Sequence, residues 1–123
     1  MAENNQEVRL AASVARTATA NFDGPLNDNF RGIDLIIDVT AISATPSVVF
    51  TIQNRDPVSG VYYTVLASAA ITATGTTVLR AFPGATAAAN TVANFALGRT
   101  WRVNATHGDA DSITYTLGAV LYR

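Results

Sequence analysis

Apolar and polar residues alternate with a period of two through most of this chain, the signature of strands that turn one face to a core. The first such stretch starts at Glu7: Val8, Leu10, Ala12 and Val14 share one side, and Glu7, Arg9, Ala11 and Ser13 the other. Alternation fades after Arg16. The segment that follows, TATANFDGPLNDNFRG, carries Gly24-Pro25 and several Asn and Asp, whose side chains and φ preferences favour turns, so residues 21–31 read as a loop.

The strongest strand signal runs from Ile33 to Ile42, with Ile33, Leu35, Ile37 and Val39 on one face and Asp34, Ile36, Asp38 and Thr40 on the other. Ser47 to Asn54 follows with Val48, Phe50 and Ile52 in phase. Asp56-Pro57-Val58-Ser59-Gly60 supplies a fixed φ and a residue free to take a positive one, and predicts a hairpin into Val61 to Leu66. Further strands are predicted over Thr76–Phe82, Thr100–His107 and Ile113–Leu121, the last two joined by a turn at Gly108–Asp111.

Between them, residues 84–98 fit either a short helix, with Thr86 as N-cap and Gly98 as stop, or a long loop. A connection of that length calls for contacts, so it is a candidate interaction segment. About seven or eight strands linked by short turns, with no βαβ alternation, predict an all-β chain: one antiparallel β-sandwich, jelly-roll-like, spanning 1–123. Its expected core is Leu35, Ile37, Phe50, Ile52, Trp101, Val103, Tyr115 and Leu117.

Composition narrows the function. A chain of 123 residues is one domain's worth of core. It is 49% hydrophobic but only 14% charged, so much of its surface is open to burial by partners and self-association is expected. The eight basic residues are all arginine, and nine acidic residues bring the formal net charge to -1, which argues against nucleic acid as a partner. There is no cysteine, and no apolar run long enough to predict a membrane span. The polar residues 1–6 are expected to form a flexible arm.

Catalytic chemistry has little to work with. His107 is the sole histidine, and the only glutamates, Glu3 and Glu7, sit near the start of the chain. No catalytic, cofactor or metal site is expected, nor a small-molecule substrate. His107, Asp109 and Asp111 faintly suggest a loop for a hard cation, but Asp in a tight turn most simply caps its own backbone amides. Asp34 and Asp38 lie about 13 Å apart along one strand face, too far to share a proton.

Trp101 reads either as a core residue or as a platform for stacking a sugar. Tyr62-Tyr63 points one ring to each face of its strand. Arginine and tyrosine without lysine suit an interface, because a guanidinium forks to carboxylates and sheds water more readily than an ammonium. The candidate partner-binding residues are Arg31, Arg55, Tyr62, Tyr63, Arg99 and Arg102.

The stretches RGIDLIIDVTAI, TPSVVFTIQNRDPVSGVYYTVL and ITATGTTVLRAFPGATAAANTVANFALGRTWRVNATHGDADSITYTLGAVL, which together cover most of residues 31–121, resemble small virion structural proteins encoded near the capsid genes of tailed bacteriophages. Among virion roles the chain looks most like a decoration or cement protein. That resemblance implies a non-enzymatic, β-rich homotrimer bound to the major capsid protein on the outer shell, assembled in the host cytoplasm and bridging capsid subunits. A neck or tail component is the alternative within the virion, and a carbohydrate-binding module the alternative outside it.

Overall fold

A computed structural model of the chain describes residues 5–123 and contains nine strands. They are β1 (Asn5–Arg16), β2 (Ala20–Asp23), β3 (Gly32–Ile42), β4 (Val48–Arg55), β5 (Tyr62–Ala67), β6 (Gly75–Ala81), β7 (Val92–Ala93), β8 (Trp101–His107) and β9 (Ile113–Tyr122). Two sheets pack face to face, one ordered β1-β9-β3-β6-β7 and the other β2-β8-β4-β5. With the two-residue β7 set aside, the pairings β1:β9, β2:β8, β3:β6 and β4:β5 are nested like one long folded hairpin. The β3:β9 and β4:β8 pairings then wrap that hairpin into two layers. This is jelly-roll order, as the turn spacing predicts.

The core forms where the strand periods agree. Ile33, Leu35, Ile37 and Val39 of β3 and alternate residues Ile113 to Leu121 of β9 face Val48, Phe50 and Ile52 of β4 and Trp101, Val103 and Ala105 of β8. All eight expected core residues are buried there. Trp101 is only 1% exposed; its indole N–H donates to the Pro25 carbonyl at 3.0 Å, and Gly24 lies flat against its ring, where a Cβ would come within 2.3 Å. The ring is a core element and offers no platform for a sugar.

The structure departs from the sequence reading at three places. Residues 21–31 are not all loop, because Ala20–Asp23 pairs with β8 and turns Phe22 inward. Asn5 and Gln6, expected in a flexible arm, pair with Tyr122 and Leu121; the rest of that arm, residues 1–4, lies outside the described residues. In β1 two bulges, between Arg9 and Ala11 and between Ala11 and Val14, break the period, so Val14 is 51% exposed instead of buried.

Of the two readings open for 84–98, the structure takes the long loop, with β7 inside it. Gly84 at φ +90 and Asn90 at φ +60 take left-handed conformations that a right-handed helix cannot continue through. The loop is tied to its own domain and needs no partner to order it. The Leu97 side chain enters the core, the Leu97 N–H donates to the Arg31 carbonyl, and Phe82 N–H donates to the Ala93 carbonyl. Asn54, a buried residue near the end of β4, accepts from Gly98 N–H at 2.7 Å and donates to the Ala96 carbonyl at 3.1 Å.

Candidate functional site

Antiparallel wrapping brings the end of β2, the starts of β3, β5 and β8 and the ends of β4, β6 and β9 to one end of the sandwich. Two crossing loops, 24–31 and 82–100, cover that end and are stitched together by Asn27, whose N–H donates to the Arg99 carbonyl and whose side chain bridges the Phe30 carbonyl and amide. Six of the eight arginines lie there: Arg31, Arg55, Arg80, Arg99, Arg102 and Arg123. All six candidates from the sequence belong to this end.

The candidates do not form one cluster. Arg55 and Tyr62 are direct cross-strand partners on the outward face of β4 and β5. Beside them the Arg102 guanidinium lies 3.7 Å from the centre of the Tyr62 ring and donates through Nε to Gln53 Oε1 at 2.8 Å. A planar cation on an aromatic face, locked by an amide, loses little rotamer freedom when a carboxylate arrives. Arg55 and Arg99 line a shallow cleft of about 390 Å³ with Pro57 and Thr100. Arg99 reaches Asp28 at 2.9 Å, and both side chains are well exposed.

Arg31 stands apart, over the Phe82 ring at 5.6 Å. Tyr63 leaves the Arg102 group and packs edge-on against Phe95, with ring centres 6.4 Å apart and both rings 44% exposed. Among the described residues, Arg31, Arg55 and Arg102 have no carboxylate within ion-pair distance. Asp23 is the register partner of Arg102, yet the guanidinium turns to Gln53 and Tyr62 instead.

Arg80, Phe82 and Phe95 were not singled out by sequence reasoning. Arg80 forks onto Asp34 at 2.7 and 2.9 Å, and Tyr122 donates to the same carboxylate at 3.0 Å. The Arg80 hydrogen bonds hold the Asp34 carboxyl below its ordinary value, outweighing burial, which acts the other way. Burial, then the bond to Asp34, raises Tyr122. The available signal for Arg80 was an Asp in the middle of the strongest strand, a carboxylate that an arginine could pair; its burial, which requires a cation, shows only in the structure. Phe95 sat in the segment whose period was ambiguous, and Phe82 closed a predicted strand with nothing to mark it as a seat for Arg31.

At the opposite end, the His107 ring is desolvated, which lowers its pKa, with Arg16 acting in the same direction and Asp109 opposing. Its Nε2 is 3.3 Å from the Tyr115 hydroxyl, while Nδ1 is buried with no partner. Asp109 accepts from the Asp111 N–H within the turn, and Asp111 accepts from the Thr45 N–H of the loop between β3 and β4. No protein-family model, curated protein or solved structure matches this chain.

Proposed function

We propose that the chain is a non-enzymatic virion protein that docks on a phage shell through its arginine-rich end and strengthens the shell by bridging capsid subunits. The observation that carries this reading is the set of three arginines that have no carboxylate partner among the described residues. Arg31, Arg55 and Arg102 are held by Phe82, the Gly60 carbonyl and the Tyr62–Gln53 pair. Cations fixed by neutral groups are available to the carboxylates of a partner. With Tyr62, Tyr63 and Phe95 at the same end of the sandwich, they match the Arg and Tyr enrichment of protein interfaces.

The fold supports the reading by analogy only, since jelly rolls serve both as capsid and as lectin domains. The resemblance to small phage virion proteins selects the first, with the major capsid protein as partner. The test is co-sedimentation of purified protein with shells that lack it. Arg102→Glu should weaken binding about tenfold or more, and Arg16→Glu, at the opposite end, should not weaken attachment of whatever protein remains folded. Equal binding by Arg102→Glu, Arg31→Glu and the parent would overturn the assignment of this end.

A further inference from the structure

Each sheet of the sandwich has two edges, and three of the four are blunted. β7 has two residues and β2 has four, too short to template a partner strand. β5 carries an extra residue at Val65 that interrupts its pairing with β4. β1 is different, because its second half alone is protected. Two bulges distort it after Arg9, and the Arg16 guanidinium occupies the carbonyls of Ala12 and Val14 at 2.9 and 3.1 Å. The first half, Asn5–Arg9, runs in unbroken register with β9 and carries no proline, lysine or bulge. Among the described residues, no strand pairs with its other side.

This half-strand is complementary to itself. Glu7 and Arg9 point to the outward face of the sheet, opposite Val120 and Gly118, and both are exposed. Val8 between them turns inward, opposite Ala119 and against the core. In an antiparallel pair of two copies centred on Val8, Val8 meets Val8, while Glu7 of each copy faces Arg9 of the other. Two opposite-charge pairs then flank the axis on one face, as stable cross-strand pairing favours. Shifting the register by two residues in one direction sets Glu7 against Glu7, and in the other Arg9 against Arg9, so charge selects the Val8 centre.

We infer that β1 is a homodimer edge: two copies join antiparallel into one continuous sheet about a two-fold axis at Val8, with Glu7–Arg9 of each copy facing Arg9–Glu7 of the other. Where the resemblance implies three copies, the edge chemistry assigns two. Because the strands run in opposite directions, the two arginine-rich ends point away from each other, and a dimer presents two docking ends where one chain presents one. The pairing operates in the isolated protein and does not depend on any shell.

Sedimentation equilibrium of the purified protein should show about twice the chain mass of 12.9 kDa at high micromolar concentration, dissociating as salt rises. E7R places arginine against arginine at both pairs and should raise the dimer dissociation constant about tenfold. The charge-swapped double variant E7R/R9E should return it to near the parent value, which also shows that E7R remains folded. A parent that stays at one chain mass, a three-chain species, or a dimer indifferent to E7R overturns the inference, as does a double variant that fails to recover. Loss of shell binding with the dimer intact would instead count only against the docking end.

Discussion

Trp101 and His107 show how single residues set the stability of the two ends. Trp101 fills the space beneath the crossing loop at Gly24-Pro25, so Trp101→Ala should cost about 3–5 kcal/mol in chemical denaturation, through lost packing and the cavity left behind. Trp101→Phe keeps most of the volume and orphans the Pro25 carbonyl, and should cost less. His107 carries a pH signature. Its folded pKa is lowered by desolvation, so the unfolded chain takes up a proton near pH 6.5 that the folded chain resists. Stability is therefore full above about pH 6.5, falls as pH drops through that value, and levels off below the folded pKa. The groups facing the ring are Arg16, Asp109 and the Tyr115 hydroxyl, of which Arg16 deepens the effect and Asp109 softens it. With one histidine in the chain, a thermal melt series from pH 7.5 to 5 reads this residue, and His107→Gln should flatten the slope.

At the level of elements, β1 is an edge strand repaired by one side chain. Its bulges leave carbonyls that the ladder does not use, and the Arg16 guanidinium gathers those of Ala12, Val14 and Tyr115 while lying 4.6 Å from the centre of the Tyr115 ring. Arg16→Met retains the packing and loses the fork. It should cost about 1–2 kcal/mol and raise amide exchange in 10–16 more than in 5–9. Arg16→Lys should recover little of that loss, because an ammonium cannot bridge three acceptors in a plane.

This is also where the sequence stopped being legible. β3, β8 and β9 could be read residue by residue because their inward positions keep a strict period over five residues or more. β1 follows the period as written, and bulges that depend on its pairing with β9 remove Val14 from the core without a local mark. β2 was hidden for the opposite reason: its outward residues, Asn21 and Asp23, are turn formers, and four residues give alternation little room to show. The arginines of that end were visible as residue types, but their gathering there follows from nested strand pairing, which no local pattern encodes.

At the scale of the whole molecule, the jelly roll carries a proposed docking end whose cations are held in place before a partner arrives. Preorganisation of that kind lowers the ordering cost of binding. A protein that binds only the assembled shell stabilises that state alone, so many weak attachments add up over the particle. Arg31→Glu combined with Arg102→Glu should release the protein from particles at lower salt than the parent, while leaving its own melting temperature within a few degrees, because both guanidinia lie outside the core. The most direct measurement compares otherwise identical particles with and without this protein for genome release on heating. The account predicts release at a higher temperature when the protein is present at full occupancy, and a return to the bare-particle value with the double charge reversal. Equal release temperatures for decorated and bare particles would contradict it.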